Sequence, residues 1–247
     1  MSVRLVIAQS SRITGGHLTT ALRARNVTVL ANGGNALVSY GVRLGDATVP
    51  TLNANAGMAD KFEQLIALRD AGVLVPNTSE DGQGLAFPML ARKRQHRAGT
   101  DLRPVFQPEE IPWRMASGSE FFVEYVPRQS EFRTWVYRKR HLGSYTKVMD
   151  RPEEYTRIGW NYHNGFSFRF IGQEDVPPGA VAVAISALKA LDLDFGAVDI
   201  LLGKDNRFYC LEVNTAPGVE SPDRVVMKNL ALRIAKLEEA GYPSRNT

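Results

Sequence analysis

The stretch 197-AVDILLGKDNRFYCLEVNTAPGVESPD-223 determines how this chain is interpreted. It contains two apolar runs, 197–202 and 207–213, separated by a polar turn, and this pattern predicts two buried strands. Acidic residues interrupt both runs, although ionised carboxylates are rarely buried without a partner. The polar residues within these strands are therefore the first candidates for a functional site.

Three oxygen-bearing side chains stand out in the two strands. Asp199 lies inside the first run, and Glu212 and Asn214 lie two positions apart on the second, so the last two project from the same face of the sheet. Carboxylate and amide oxygens suit a hard cation such as Mg²⁺, which keeps some of its water and is shared with substrate phosphates. A metal site is the favoured interpretation, and ordinary polar groups at strand ends are the alternative.

The N-terminal segments carry alternating strand and helix signals. Residues 1–55 contain an apolar run, a glycine-containing turn, a helix-compatible stretch over 17–25 and a second apolar run at 27–31, followed by an irregular, glycine-rich segment. We interpret them as a small α/β unit. Apolar positions at helical spacing then predict a helix over 58–71, with Gly72 as its C-terminal cap.

Strand signals dominate the middle of the chain. After Pro177 and Pro178 the sequence predicts a helix that reaches Leu191, and it predicts a last helix from about Pro222 to Ala240. Mixed helices and strands, with consecutive strands in the middle, favour an α+β fold or an α/β fold with antiparallel pairing over a doubly wound Rossmann sheet. The middle strands are predicted at 86–91, 120–126, 131–137, 144–149 and 166–171.

Composition excludes several classes of protein. With 247 residues, of which 44% are hydrophobic, the chain can bury a sizeable core, which makes a disordered or fibrous protein an unsuitable interpretation. Its apolar runs are shorter than the ~18 residues of a membrane span, and its first residues lack a signal-peptide core, so we expect a soluble, cytoplasmic protein with no membrane partner. The single cysteine, Cys210, excludes an intrachain disulfide and zinc sites built from cysteine pairs.

Common nucleotide and hydrolase motifs are missing from the sequence. There is no G-x-x-x-x-G-K-[ST] loop, and Gly82-Gln83-Gly84 lacks the third glycine of a dinucleotide loop. The four histidines show no metal-binding pattern, and there is no G-x-S-x-G elbow. ATP, if bound, must be held in another way.

The stretch 197–223 resembles the metal-binding end of the ATP-grasp superfamily, whose signature is an Asp-containing strand followed by E-V-N-x-x-P-G. The RimK-type branch, which contains carboxylate–amine ligases, is the most similar. The resemblance covers roughly residues 55–235 and includes four further segments. These are 60-DKFEQLIALRDAGVLVPNT-78, 88-PMLARK-93, 124-EYVPRQSEFR-133 and 161-NYHNG-165.

The resemblance implies an ATP-grasp fold of the α+β class, in which two subdomains grip ATP. We expect the small N-terminal unit at 1–55 to precede an ATP-grasp domain at 56–247, with a smaller lid subdomain at about 80–124.

The resemblance also implies a role for each matching residue. Asp199, Glu212 and Asn214 would bind two Mg²⁺ ions, with Mn²⁺ as an alternative and Glu212 as the bridging ligand. Electrostatic stabilisation of a phosphoryl group in transfer requires cations and metal in this way. The remaining residues comprise Lys61 and Arg92 for the ATP phosphates, Glu124 with the backbone of Tyr125 and Val126 for adenine, Glu131 for the ribose, and Arg133, Lys147 and Asn161 for the reacting groups.

Two departures from the family pattern affect the phosphate site. Arginine stands at position 92 where the family carries lysine, so Lys93 is an alternative for that role. The phosphate-covering loop, usually rich in glycine, has only Gly99 in the segment 95-QHRAGTDL-102. Other interpretations also stay open at this stage, because Lys61 could lie on a solvated helix face and Glu131 with Arg133 could form a solvent-facing pair.

Two functions from different classes follow. The first is an ATP- and Mg²⁺-dependent ligase that joins a carboxylate to an amine through an acyl phosphate and releases ADP and phosphate; its substrates could be an amino acid, a peptide or a modified nucleoside. The alternative is a nucleic-acid-binding protein with a vestigial nucleotide site. It rests on a pI near 9.2, on the basic stretches 92–97 and 138–141 and on the nearby aromatic residues Trp135, Tyr137 and Tyr145.

Overall fold

The computed structural model describes residues 2–7, 12–30, 36–40, 42–44, 49, 51–58, 60–95, 102–149, 165–217 and 225–240. The strands are β1 (Ser2–Ile7), β2 (Thr28–Leu30), β3 (Ala36–Tyr40), β4 (Thr51–Leu52), β5 (Thr78–Ser79), β6 (Met89–Arg92), β7 (Arg103–Val105), β8 (Phe121–Glu124), β9 (Arg128–Tyr137), β10 (Arg140–Met149), β11 (Phe166–Ile171), β12 (Phe195–Gly203) and β13 (Phe208–Asn214). The helices are α1 (Arg12–Arg23), α2 (Lys61–Asp70), α3 (Glu110–Ala116), α4 (Pro178–Ala190) and α5 (Val225–Ala240).

The N-terminal unit is a parallel sheet with strand order β2-β1-β3-β4. Two of its strands lie where the sequence suggested an irregular segment. Val38, Ser39 and Tyr40 are all fully buried, so β3 lacks the polar alternation by which a short strand is recognised. The core of this unit also includes residues of α1 and α5, so the last helix of the chain packs against its first elements. The division into residues 1–55 and 56–247 stays a prediction.

The second sheet is antiparallel, with strand order β5-β8-β6-β7, and occupies the region predicted as the lid. Helix α3 covers one face, where Ile111 packs against a cluster that contains Met89, Ala91 and Phe122. Since side chains alternate along a strand, Arg92 belongs to the opposite face of this sheet.

The third sheet is the largest, with strand order β11-β10-β9-β12-β13 and antiparallel pairing throughout. One face packs on α4, whose residues Ala180, Ala184 and Ala187 are fully buried and allow close approach of helix and sheet. Cys210 lies in this core with no exposed surface. The expectation of consecutive antiparallel strands is confirmed, and the opposite face remains for the polar residues of the candidate site.

Helix α2 begins at Lys61, three residues later than the sequence predicts, because of its N-terminal cap. The carboxylate of Asp60 accepts hydrogen bonds from the amides of Phe62 (2.9 Å) and Glu63 (3.1 Å), so Asp60 is the N-cap and the helix starts at Lys61. At the other end Gly72 has φ +81°, as a C-terminal cap requires. None of the helices in the described residues is long and apolar enough to cross a bilayer.

Candidate active site

The strand register brings three predicted site residues side by side. Asp199 on β12 is paired with Arg133 on β9 and with Glu212 on β13, so all three side chains lie on one face of the large sheet. Asn214 is two residues beyond Glu212 and lies on the same face, where its amide nitrogen is 3.4 Å from Oδ2 of Asp199. The prediction that Glu212 and Asn214 share a face agrees with this arrangement, and strand pairing adds Asp199 and Arg133 to it.

Arg133 and Asp199 form a bidentate ion pair at the centre of this face. The guanidinium donates from Nε to Oδ1 at 2.7 Å and from one terminal nitrogen to Oδ2 at 2.9 Å. Burial alone would raise the pKa of Asp199, but the charge and hydrogen bonds of Arg133, with additional charge from Lys147 and Lys61, lower it below its usual value. Asp199 is thus an anion at neutral pH, and its role as a metal ligand stays a prediction.

Lys61, the first residue of α2, forms an ion pair with Glu212. Their side chains are only 12% and 20% exposed, so Lys61 does not lie on a solvated helix face. Gln64, one turn later, fixes the helix to the sheet: it accepts from the amide of Val213 at 2.8 Å and donates to the carbonyl of Val213 at 3.1 Å. This clamp holds Lys61 and Glu212 in a constant relation, and sequence reasoning missed it because Gln64 and Val213 are far apart in the chain.

Glu131 lies deeper on the same face and is engaged by two cations. One carboxylate oxygen accepts from Lys147 and the other from Arg128 at 3.2 Å. The residue is 3% exposed, so the interpretation of Glu131 and Arg133 as a solvent-facing pair is wrong. The role of Glu131 in binding ribose stays a prediction.

Phe168 on β11 supports the two cations predicted to contact the reacting groups. Its ring centroid is 4.2 Å from the guanidinium carbon of Arg133 and 5.4 Å from Nζ of Lys147. A cation held over a ring face gains electrostatic attraction and loses freedom to move. Sequence analysis did not identify Phe168, because an alternating apolar strand gives no sign of which ring lies beneath a cation.

Arg92 faces the site from the lid sheet. It is 9% exposed, its guanidinium lies 5.7 Å from the ring centroid of Phe121, and burial lowers its pKa, an effect that the charge of Glu212 opposes. Lys93 points to the other face of that sheet and lines a separate cavity against α3. Of the two candidates, Arg92 is the one near the acidic residues.

Arg94 joins the lid to the start of α2. Its backbone carbonyl accepts from the amide of Lys61 at 2.8 Å, and its guanidinium binds Asp60 at 3.2 Å and also pairs with Glu80. The ring of Phe62 lies 4.6 Å from its guanidinium carbon. The strand that carries Arg92 and the helix that carries Lys61 are therefore attached to each other close to the site.

The predicted adenine contacts lie where the lid sheet and the large sheet meet. Glu124 accepts from the side-chain amide of Asn77 at 2.8 Å and from its backbone amide at 3.2 Å. Val126 is buried against a cluster that includes Leu201, and the ring of Tyr125 lies 6.0 Å from the guanidinium carbon of Arg128. Their roles toward adenine stay predictions, and Asn161 lies outside the described residues.

Among the residues that the structure describes, five cations face three carboxylates on these surfaces, so this part of the site carries excess positive charge. Such an excess suits a polyphosphate ligand. In the part of the chain that the structure describes, no group of three or more His, Cys, Asp or Glu could hold a metal ion, so the predicted metal set remains two acids and one amide. The cations are Lys61, Arg92, Arg128, Arg133 and Lys147, and the carboxylates are Glu131, Asp199 and Glu212.

The sequence signature of the family described as RimK-like ATP-grasp domain matches residues 173–237. The chain has the ATP-grasp fold. The structure is similar to a D-alanine–D-alanine ligase from Bacillus anthracis, with a TM-score of 0.67, 18% identity and coverage of 96% of this chain and 99% of that one. No curated protein sequence matches the chain.

Two other solved ATP-grasp structures are comparable. The ligase PsnB, solved with a phosphomimetic variant of its minimal precursor, Mg and ADP, has a TM-score of 0.66 and 14% identity, with coverage of 94% of this chain and 97% of that one. A RiPP-associated ligase from Chryseobacterium gregarium, solved with ADP and a leader and core peptide, has a TM-score of 0.66 and 11% identity, with coverage of 100% and 98%. The prediction of an ATP-grasp fold is confirmed, and the RimK-like family model matches the part of the chain at residues 173–237. All three solved structures are described as ligases.

The aromatic residues invoked for nucleic-acid binding are not available to stack on bases. Trp135, Tyr137 and Tyr145 are at most 5% exposed and belong to the core between the large sheet and the N-terminal unit. The nearby Arg138 forms an ion pair with Asp194 at 3.1 Å. The interpretation of this region as a base-stacking surface is therefore wrong.

Proposed function

We propose that the protein is an ATP- and Mg²⁺-dependent carboxylate–amine ligase that forms an amide through an acyl phosphate and releases ADP and phosphate. The observation that carries the proposal is the continuous polar row on one sheet face. In this row Lys61 pairs with Glu212, and Arg133 pairs with Asp199, which Asn214 also contacts. A row of alternating cations and oxygen donors can exchange its internal partners for phosphates and metal.

The chemistry of the donors fits magnesium. Asp199 and Glu212 supply carboxylate oxygens and Asn214 an amide oxygen, and a small set of protein oxygens is typical of Mg²⁺ sites that are completed by water and phosphate. When bound, the metal neutralises developing charge on the transferred phosphoryl group. The number of ions, two by the family resemblance, is part of the proposal.

The cations of this chain would then orient the phosphates. Lys61 and Arg92 reach the site from two different elements, α2 and the lid sheet, so together they can hold a polyphosphate between them. Arg133 and Lys147, both stacked on Phe168, lie on the large sheet and are suited to the carboxylate and the phosphoryl group that react. Positioning and electrostatics supply most of the catalysis in phosphoryl transfer.

The acceptor chemistry follows from the proposed reaction. A carboxylate resists attack by an amine, and phosphorylation by ATP converts its oxygen into a leaving group. An amino acid, a peptide or a modified nucleoside could supply the reacting groups, and the peptide-bound solved structures favour testing peptides first.

A calorimetric experiment tests the nucleotide and metal sites without knowledge of the substrates. ATP and ADP are titrated into the protein with and without Mg²⁺, and the titration is repeated on Asp199→Ala/Glu212→Ala. A matched control is Glu63→Ala/Asp70→Ala, which removes two exposed carboxylates from α2. We expect Mg²⁺-dependent binding that the site variant loses and the control retains.

A phosphate-release screen then tests the ligation itself. Pairs of amino acids, peptides and modified nucleosides are offered with ATP and Mg²⁺, and products are identified by mass. An absence of ATP binding in the intact protein, or ligation that survives in Asp199→Ala/Glu212→Ala, would refute the proposal.

A further inference from the structure

A cavity with a basic lining lies on the lid sheet, away from the proposed nucleotide site. It has a volume of about 250 Å³ and is lined by the basic residues Lys93, Arg103 and Arg114, by Ser117 and Ser119 and by Trp113. Lys93 follows β6, Arg103 begins β7, and the other residues belong to α3 and the turn after it. The cavity is thus built from all three elements on one side of the lid.

This cavity and the residues of the proposed nucleotide site lie on opposite faces of the lid sheet. Met89 and Ala91 point toward α3, whereas Arg92 points toward Phe121 and Glu212. Lys93 follows the alternation back to the α3 side, where its Cε would lie 3.8 Å from a Cβ placed on Gly118. A ligand in this cavity would therefore not occupy the ATP site.

Of the six lining residues that the structure describes, three are cations and none is acidic. Arg114 lies 3.6 Å from the carboxylate of Glu110 and donates to the carbonyl of Pro104 at 2.8 Å. Nε of Arg114 is buried and has no hydrogen-bond partner among the described residues. Excess positive charge and an unsatisfied guanidinium donor suit an anion with several acceptor oxygens.

Trp113 adds a flat surface at the rim of the cavity. Trp113 is 59% exposed, and the guanidinium carbon of Arg114 lies 4.4 Å from its ring centroid. More than half of Trp113 is therefore open to solvent beyond its contact with Arg114, and an exposed indole ring can stack on a ligand. Phe106, which is 57% exposed, follows β7 and extends the aromatic character of the same part of the lid.

We propose that this cavity binds single-stranded nucleic acid, with a backbone phosphate held by Arg103, Lys93 and Arg114 and a base stacked on Trp113. Basic grooves with exposed aromatic rings bind single strands without strict sequence preference. An acidic peptide would satisfy the cations, but its carboxylate side chains would not stack on the exposed part of the Trp113 ring. A nucleic acid therefore accounts for both the basic lining and the exposed ring of Trp113. This proposal does not depend on whether the ligase proposal holds.

The test is fluorescence anisotropy of a labelled single-stranded oligonucleotide of about 12 nucleotides, a length within the range of such sites. The full chain is used at low salt with saturating ADP and Mg²⁺, so that the nucleotide site is filled. Trp113→Ala and Arg103→Glu are the site variants, and both residues are exposed. Lys189→Glu, on an exposed position of α4, is the control with the same change of charge as Arg103→Glu.

We expect Trp113→Ala to weaken binding by about 5- to 100-fold, as loss of base stacking does. Arg103→Glu should weaken binding and lower the dependence of log K on log salt by about 0.7 or more, because at least one phosphate contact is lost. The Lys189→Glu control should bind like the unmodified chain, and the melting temperature should be unchanged in all variants.

Three results would overturn the proposal. The first is no binding of the oligonucleotide at low salt. The second is equal weakening in Arg103→Glu and Lys189→Glu, which would show attraction to net charge alone. The third is an equal affinity for poly-glutamate of similar length, since the cavity would then accept acidic peptides.

Discussion

Replacement of Asp199 by asparagine should strengthen the binding of ATP in the absence of Mg²⁺. Without metal, the phosphates need the cations of the site, but Arg133 is held by Asp199 through hydrogen bonds of 2.7 and 2.9 Å. ATP must therefore break this ion pair before Arg133 can contact it. In Asp199→Asn one charge is removed and the guanidinium is held less tightly, while the shape of the side chain is kept.

The size of the effect follows from the geometry of the pair. Both side chains are largely buried, at 18% and 13% exposure, so solvent screens the interaction only weakly. A hydrogen bond to a charged group contributes about 1.5–3 kcal/mol, and asparagine retains one acceptor. Separating Arg133 from residue 199 when ATP binds should therefore cost about 2 kcal/mol less in the variant. That energy corresponds to roughly 30-fold tighter binding of metal-free ATP, since 1.4 kcal/mol is tenfold.

Binding of ATP with Mg²⁺ should change in the opposite direction, because the variant lacks a charged metal ligand. The factor by which Mg²⁺ increases ATP affinity should collapse, and by linkage the factor by which ATP increases Mg²⁺ affinity should fall equally.

Calorimetry of ATP at constant ionic strength, with EDTA or with Mg²⁺, measures both quantities, and Asp70→Asn on the exposed face of α2 is the control. Metal-free ATP binding that is unchanged or weaker in Asp199→Asn would refute the reasoning, because Arg133 would then not be restrained by its partner.

Three other predictions test different parts of the site. Phe168→Leu keeps an apolar contact but removes the ring under two cations, and a cation–π contact contributes about 0.5–2 kcal/mol. Phosphate release with an active substrate pair should therefore slow by roughly 2- to 30-fold with little change in ATP affinity. An equal loss of ATP affinity would contradict a role of Phe168 in orienting the reacting groups. Gln64→Leu leaves the buried amide and carbonyl of Val213 without these hydrogen-bond partners, which costs about 1–3 kcal/mol of stability for each group. The melting temperature should fall by roughly 4 °C or more. If differential scanning calorimetry showed no decrease, the clamp would not be needed for stability. Folding lowers the pKa of Asp199, so its ion pair stabilises the protein fully above the unfolded pKa of about 3.9, and this stabilisation is lost as the pH falls through the folded pKa. Urea unfolding should therefore show a steeper loss of stability below about pH 4 in the unmodified chain than in Asp199→Asn.

The parts of the fold that were predictable are those fixed by local patterns. The acids at 199 and 212 interrupt apolar runs, and alternation along the second strand places Glu212 and Asn214 on one face. The position of Asp199 beside Glu212 depends on the pairing of the two strands. The helix at α2 was predicted from its spacing and its glycine cap. In contrast, the short strand β3 has no alternation because its residues 38–40 are buried on both sides.

The partners of the site residues could not be predicted in the same way. Contacts such as Gln64 with Val213 or Glu131 with Lys147 join different elements, and their register depends on how the sheets and helices pack. The aromatic residues beside 138–141 looked accessible for stacking because basic residues surround them in sequence. They are buried since their strands pack against the N-terminal unit, which no local pattern specifies.

The position of the single cysteine has a practical consequence for measuring motion in this protein. Cys210 has no exposed surface, and burial raises the pKa of its thiol, so the native chain contains little reactive thiolate. A cysteine introduced on the surface of the lid can therefore carry a fluorescent label without background from the native residue. Labelling of Cys210 itself would report global unfolding, so one chemistry can separate lid movement from loss of the fold.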